Sequence, residues 1–132
     1  MPIYDFSLFD PPAPWAKVIL RNPESNKELP DVPLLIDTGA DITFIPYNSA
    51  NELGLNTLHD KSYEVMGFDG SISIASAVQL ELLFLNKTFR VLFLLIDQEW
   101  GILGRDILNH LALLFDGPRL EWNKHQAESQ EI

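Results

Sequence analysis

The sequence predicts a mostly β, single-domain, barrel-like protein with one or two short helices. The chain has 132 residues, of which 46% are hydrophobic and 21% charged, the size and composition of one globular domain with a packed core. Short apolar or alternating runs, typical of strands, recur along most of the chain and are separated by turn residues. Helical spacing of apolar residues is confined to two short stretches.

The first half of the chain begins with an expected N-terminal arm, residues 1–14, whose Asp-Pro-Pro-Ala-Pro ending disfavours helix and central strand. Two buried strands then flank a five-residue loop, Asp37–Asp41. Pro46, placed at the first helical position, and Gly54, placed at the stop, frame one short helix. The strands expected here are 15–20, a return strand at Val32, 33–36 and 42–45.

The second half contains two expected hairpins and a second short helix. The first hairpin has the glycine-containing tip Met66–Gly70, and the helix is expected at 105–112 from its apolar spacing. We expect the domain to cover 15–122 and residues 123–132 to form a polar tail. The strands expected here are 61–65, 71–74, 78–82, 89–96, 113–116 and 119–122.

Composition excludes several classes of function. Without cysteine the chain has no disulfide scaffold, thiolate metal site or cysteine nucleophile. A formal charge of −10 would repel phosphate backbones, so we expect no nucleic-acid partner. The opening residues lack the pattern of a secretion signal and the apolar runs are too short to span a bilayer, so we expect a cytoplasmic protein without membrane contact. The scattered histidines indicate neither a metal site nor a cofactor.

The residues that point to chemistry are carboxylates, because the common nucleophile, zinc and phosphate-loop motifs are missing from the sequence. Asp37 follows three apolar residues and precedes Thr38-Gly39, so it is expected at the end of a buried strand in a tight turn. A second acid, Asp41, follows within the same apolar surroundings. The alternative is an ordinary turn, since Asp, Thr and Gly are all favoured turn residues.

The sequence resembles the retropepsin-like aspartic proteases of retroviruses and their cellular and bacterial relatives. The resemblance rests on Leu34–Asp41 and on Gly101–Leu108, with Met66–Gly70 between them where that family has its flap. It implies an acid-protease barrel over most of 15–122. It also implies an aspartic endopeptidase that acts on a peptide or protein substrate and needs no cofactor.

The resemblance also implies a homodimer and a role for each matching residue. Peptide hydrolysis by acids needs two carboxylates that share a proton, as in the aspartic proteases, and the chain offers one Asp-Thr-Gly. Asp37 from each of two chains would form this pair. Thr38 would hydrogen-bond across the two-fold axis, Gly39 would admit the substrate backbone, and Asp41 would meet substrate and pair with Arg105. The implied flap residues are Met66, Gly67, Phe68, Asp69 and Gly70.

Two departures from the family pattern lead to further expectations. Ala40 has no hydroxyl to stabilise the ionised form of the pair, so we expect activity at mildly acidic to neutral pH. Asp69 places a negative charge at the tip of the flap, which would disfavour acidic substrates. The apolar residues nearby are assigned to the core rather than to a substrate pocket. They are Ile42, Phe44, Ile72 and Ile74.

Two other functions remain open at this point. The first is a non-catalytic retropepsin-like module that binds peptides or forms dimers, because fold does not fix function. The second is a small structural subunit in which Asp37 is only a buried turn acid. Substituting Asp37 would then change stability without changing any activity.

Overall fold

Alternation of apolar and polar residues organises most of the strands into one curved sheet. The computed structural model describes residues 2–55, 58–66 and 69–126. Within these ranges it has ten strands and two short helices. They are β1 (Tyr4–Asp5), β2 (Ala13–Arg21), β3 (Glu28–Ile36), β4 (Phe44–Pro46), α1 (Tyr47–Glu52), β5 (Leu58–Met66), β6 (Ile72–Phe84), β7 (Lys87–Ile96), β8 (Gly101–Leu103), α2 (Arg105–Leu108), β9 (Leu113–Asp116) and β10 (Glu121–Lys124).

The main sheet has the order β1-β2-β3-β8-β4-β7-β6-β5, and a further pairing of β2 with β6 closes it into a barrel. Most neighbours are antiparallel, whereas β3 with β8 and β4 with β7 are parallel. Strands β9 and β10 form a separate two-stranded sheet. The architecture confirms the mostly β, single-domain barrel with two short helices.

The core lies on one face of each strand. On β2 the buried positions are Ala16, Val18 and Leu20, while Lys17 between them is exposed. The opposite strand β3 buries alternate residues in the same way. Each face therefore repeats every second residue, as a sheet covered on one side requires. The buried face of β3 ends at Ile36, immediately before Asp37.

A buried carboxylate, Glu81, lies where β2 and β6 close the barrel. Arg21 Nε donates to it at 2.7 Å, and the Arg90 Nε donates to its other oxygen. The Arg21 hydrogen bond, followed by that of Arg90, lowers the pKa of Glu81 below its ordinary value. Its contribution to stability is therefore present above the unfolded pKa and is lost as the pH falls through the lower, folded value.

The structure corrects several element boundaries. Residues 4–5 of the expected arm form β1, which pairs with the start of β2. The expected strands 71–74 and 78–82 are parts of one 13-residue strand, β6. Pro46 caps α1 instead of starting it, and Gly54 follows its end with φ of 69°.

The second helix is also shorter than its apolar spacing predicts. Helix α2 ends at Leu108, not at Ala112. After it, the His110 amide donates to the Ile107 carbonyl and the Leu111 amide donates to the Leu108 carbonyl. These bonds span three residues, so the chain turns more tightly than an α-helix before β9 begins. In the described ranges no helix is long and apolar enough to cross a membrane.

Candidate active site

Asp37 lies directly after β3, at the edge where β3 runs parallel to β8. Its amide donates to the Leu103 carbonyl at 3.1 Å, so the last hydrogen bond of the β3–β8 pair fixes the backbone of the acid itself. The side chain is half-buried. The carboxylate is thus positioned by two strands of the barrel and remains open to solvent.

The loop after Asp37 folds back on its carboxylate. The Gly39 amide donates to Asp37 Oδ1 at 2.8 Å, and the Ala40 amide donates to the Asp37 carbonyl at 3.2 Å. A Cβ atom at Gly39 would lie 3.1 Å from Asp37 Oδ1, tighter than an ordinary contact. Glycine therefore allows the turn to close on the acid. Thr38 and Gly39 are exposed, and Ala40 is half-buried.

Arg105, at the start of α2, joins this loop to the second motif. Its amide donates to the Ala40 carbonyl at 2.8 Å, and its Nη1 donates to the Thr38 carbonyl at 2.7 Å. The expected pair of Asp41 with Arg105 is not formed within the described residues. Both side chains are exposed, so water solvates each charge and neither needs the other as a partner. The Arg105 guanidinium instead donates to the backbone of the loop.

A buried polar network under the loop was missed by the sequence analysis. Thr43 is fully buried; its amide donates to Asp106 Oδ2 at 3.1 Å and its hydroxyl to Asp106 Oδ1 at 2.6 Å. The hydroxyl oxygen also accepts from the Gly104 amide at 3.0 Å. This network ties β4 to the start of α2. Two features of the sequence could have indicated this network. Thr43 is the one polar residue in the apolar run 42–45, and Asp106 is an acid in the first turn of the expected helix.

The two motifs approach so closely that only glycine fits between them. A Cβ atom at Gly104 would lie 2.6 Å from the Ile42 carbonyl oxygen, and one at Gly101 would lie 2.2 Å from the Phe44 carbonyl oxygen. Real Cβ atoms do not approach backbone this closely. Glycines 101 and 104 thus let β8 and α2 pack against the chain that follows Asp37.

The sheet face that carries Asp37 is apolar and half-exposed. Leu35 precedes Asp37 by two residues, so both point to this face, and register places Trp15 and Ile102 beside Leu35. Phe44 is the partner of Ile102. All four apolar residues are half-buried, whereas their neighbours on the other face form the core. Phe44 therefore lies on the side of the acid, contrary to the expected core position.

Strands β5 and β6 form the hairpin expected as the flap. Met66 pairs with Ile72 across it, while Gly67 and Phe68 lie outside the described residues. Met66, Ile72 and Ile74 are 73%, 59% and 75% exposed, so the assignment of the two isoleucines to the core is wrong. They share one face of the hairpin that the rest of the described barrel does not cover.

The tip of this hairpin carries an ordered acid. Asp69 Oδ1 accepts a hydrogen bond from the Ser71 amide at 2.9 Å, and Gly70 turns the chain with φ of 83°. Hydrogen bonding from the Ser71 side chain, and then from its amide, lowers the pKa of Asp69 below its ordinary value. The hairpin therefore keeps this negative charge at mildly acidic pH.

Comparison with known families identifies the chain. The family model described as gag-polyprotein putative aspartyl protease matches residues 26–110, which include the Asp37 loop, the hairpin and the Gly101–Leu108 segment. The chain belongs to this family. It is a retropepsin-like aspartic protease in family and fold, as the resemblance in sequence implied.

Two solved structures share this fold. The EIAV protease, in complex with an inhibitor, is 21% identical, with a TM-score of 0.55 over 80% of this chain and 92% of that one. A retropepsin-like aspartic protease from Rickettsia conorii is 16% identical, with a TM-score of 0.56 over 88% of this chain and 84% of that one. No curated protein matches the sequence.

Proposed function

We propose that this retropepsin-like protein is an aspartic endopeptidase in which Asp37 of two chains activates water. The observation that carries the proposal is the placement of Asp37. Backbone hydrogen bonds fix it at a strand end, on a half-exposed apolar face, with Gly39 as the donor to its carboxylate. An acid that is held in place and left open to solvent is suited to bind and polarise a water molecule.

A second carboxylate is needed, and a second copy of the chain is its source. The nearest other acids along the motifs are Asp106 and Asp41. Both oxygens of Asp106 accept hydrogen bonds from Thr43, so this acid is structural, and Asp41 is exposed away from any anchoring bond in the described residues. A two-fold axis beside Asp37 would bring two identical carboxylates together in a closed homodimer.

The remaining candidate residues receive supporting roles in this proposal. Exposed Thr38 would donate to the partner loop, and Arg105, which donates to the Thr38 carbonyl, would help to orient it. Gly39 and Ala40 shape the turn, and Asp41 is left to meet the substrate main chain. The hairpin residues 66–70 would cover the bound peptide.

The proposed reaction is general acid–base hydrolysis of a peptide bond. The ionised carboxylate takes a proton from water while the water oxygen attacks the carbonyl carbon, and the protonated carboxyl gives its proton to the carbonyl oxygen. The tetrahedral diol then collapses: its C–N bond breaks, a carboxyl proton passes to the departing nitrogen, and a diol proton returns to the pair. Ala40 offers no hydroxyl donor to the ionised form of the pair. We therefore expect an optimum at mildly acidic to neutral pH.

The test compares two variants that make the same chemical change on the same strand region. Asp37→Asn should lower the cleavage of a mixed peptide library by about 10²–10⁴-fold, the range typical of losing a general acid–base group. Asp31→Asn, at an exposed position of β3, should cleave like the wild type. Mass in solution and melting temperature are recorded for all three proteins.

Two results would contradict the proposal. Equal cleavage by folded, dimeric Asp37→Asn and wild type would place the chemistry elsewhere. A dimeric wild type that cuts nothing between pH 4 and 8 would favour a module that binds peptides without turnover.

A further inference from the structure

A concave surface lies on the outer face of β2, next to the sheet face that carries Asp37. It is a groove of about 900 Å³, lined by Trp15, Lys17 and Ile19 of β2, by the β6–β7 turn and by Trp122 of β10. These three β2 residues alternate with the core residues Ala16 and Val18, so they all point outward. The volume is in the range of ligand-binding clefts.

The charge of the groove is opposite to that of the chain. The protein has 19 acidic and nine basic residues, yet the described lining residues include two lysines, Lys17 and Lys87, and no acid. Lys87 Nζ donates to the His110 carbonyl at 3.0 Å, which fixes the ammonium at the rim and leaves two of its three N–H groups. Among the described residues neither lysine forms a salt bridge.

The turn between β6 and β7 retains a leucine where the backbone favours other residues. Leu85 has φ of 51° and Asn86 has φ of 63°, in the left-handed region where Asn and Gly are preferred. A leucine in this conformation is strained. Leu85 lines the groove and also packs against the hydrophobic core, so it contributes both to the fold and to this surface.

The groove begins where the Asp37 face ends. Trp15 lines the groove and lies in register with Leu35, whereas Lys17 lies in register with Pro33. Lys17 is thus four residues along the sheet from Asp37, roughly 13 Å at 3.3 Å per residue. An extended peptide bound at Asp37 would reach it about four residues from the bond to be cut.

We propose that this groove is an exosite for an acidic, apolar segment of the substrate, four or more residues from the scissile bond. The apolar walls would take large aliphatic or aromatic side chains, and Lys17 and Lys87 would pair with carboxylates between them. The identification of the occupant as substrate rests on the proposed protease function; binding of such a segment does not.

The experiment measures binding without catalysis, in the Asp37→Asn protein. Trp15 and Trp122 line the groove, so tryptophan fluorescence reports binding, and the Lys17 variant below distinguishes the groove from the Asp37 face, on which Trp15 also lies. The probe is a nine-residue peptide of alternating leucine and glutamate, and its counterpart has lysine in place of glutamate. We expect saturable binding of the glutamate peptide and at least fivefold weaker binding of the lysine peptide.

Two variants and a matched control test the assignment. Lys17→Glu should weaken binding of the glutamate peptide at least fivefold, whereas Lys27→Glu, the same charge change outside the groove, should leave it unchanged. Leu85→Asn should weaken binding of the glutamate peptide, because the groove loses an apolar lining residue. A folded Leu85→Asn protein that binds the peptide as tightly as the wild type would contradict this part of the assignment.

The outcomes separate this inference from the proposed function. The exosite is overturned if the glutamate peptide does not bind, if Lys17→Glu binds it as well as the control, or if the fluorescence changes only with protein concentration, which would mean that a second copy fills the groove. Peptide binding by a protein that cleaves nothing would keep the site and reject the protease. Cleavage by the wild type without binding at the groove would keep the protease and reject the exosite.

Discussion

The two regions that face the proposed substrate are built in opposite ways. The Asp37 loop lies over the buried Thr43–Asp106 network. Its Asp37 amide donates to the Leu103 carbonyl, the Gly39 amide donates to the Asp37 carboxylate, and the Arg105 amide donates to the Ala40 carbonyl. The β5–β6 hairpin lies at the end of the sheet, where β5 pairs with β6 alone in the main sheet order. The loop is thus fixed by the residues packed under it, whereas the hairpin exposes its apolar side chains.

This difference indicates that the loop positions the acid, whereas the hairpin would cover a bound substrate. The loop is supported by contacts that any substrate-free chain already has, so its geometry is ready before binding. The hairpin's Met66, Ile72 and Ile74 are exposed in one chain, and burying them would require a substrate or a partner. Substitutions in the first region should therefore change stability and activity together, whereas those in the second should change activity alone.

The largest loss of stability is expected for Gly104→Ala. The added Cβ would lie 2.6 Å from the Ile42 carbonyl oxygen, so backbone must shift, and overpacking of this kind costs about 3 kcal/mol. Gly117→Ala is the control, since nothing lies within 4 Å of its added Cβ. Urea unfolding measures both. Equal stability of the two variants would show that the loop is not tightly packed.

A smaller loss is expected for Thr43→Val, which keeps the shape and removes the hydroxyl. The Gly104 amide and Asp106 Oδ1 would lose a buried partner, with a cost of about 2 kcal/mol. Activity should fall as the loop loosens. Ser73→Ala, at an exposed site on β6, should stay within about 0.5 kcal/mol of the wild type. A stable, fully active Thr43→Val protein would mean that the network does not support the loop.

Ile74→Ser should separate activity from stability on the hairpin. The side chain is 75% exposed, so unfolding free energy should change by less than about 0.5 kcal/mol. The KM for peptide substrates should rise several-fold, because an apolar contact with the bound peptide is lost. A destabilised protein with unchanged KM would mean that the residue supports the fold instead.

The smallest effect is expected from the charge at the hairpin tip. Hydrogen bonds from the Ser71 side chain and amide lower the pKa of Asp69 below its ordinary value, so the acid is ionised at mildly acidic pH. Discrimination against glutamate near the scissile bond should persist from pH 7 to about 5, above the pKa of a peptide glutamate. Asp69→Asn should reduce the ratio of neutral to acidic peptide cleavage a few-fold. An unchanged ratio would contradict this role.

The local pattern predicted the barrel and the position of the acid, because both depend on short-range features. Apolar runs of the right length predict strands, and Asp-Thr-Gly after such a run places Asp37 at a strand end. Alternation also grouped Ile72 with Ile74, but it does not say which face of a hairpin is covered. That depends on which strands pack against it, and here none of the described ones covers this face.

The contacts between the two motifs could not be predicted from local pattern. Thr43 meets Asp106, 63 residues away, through strand register that no window of sequence contains. The expected pair of Asp41 and Arg105 failed for a related reason, since an exposed guanidinium bonds whichever acceptor the backbone presents, and here it is the Thr38 carbonyl. The length of α2 depended on the start of β9 in the same way.

The central claim is that two copies of Asp37 act together, and mixing chains tests it most directly. Wild type and Asp37→Asn are combined in equal amounts at constant total concentration, allowed to exchange subunits, and assayed for peptide cleavage. If each dimer needs both carboxylates, activity falls to about one quarter of the wild-type value, the share of dimers with two intact chains. Activity at about one half would mean that each chain acts independently, and activity at about three quarters would mean that one Asp37 per dimer suffices; either result would contradict the shared pair.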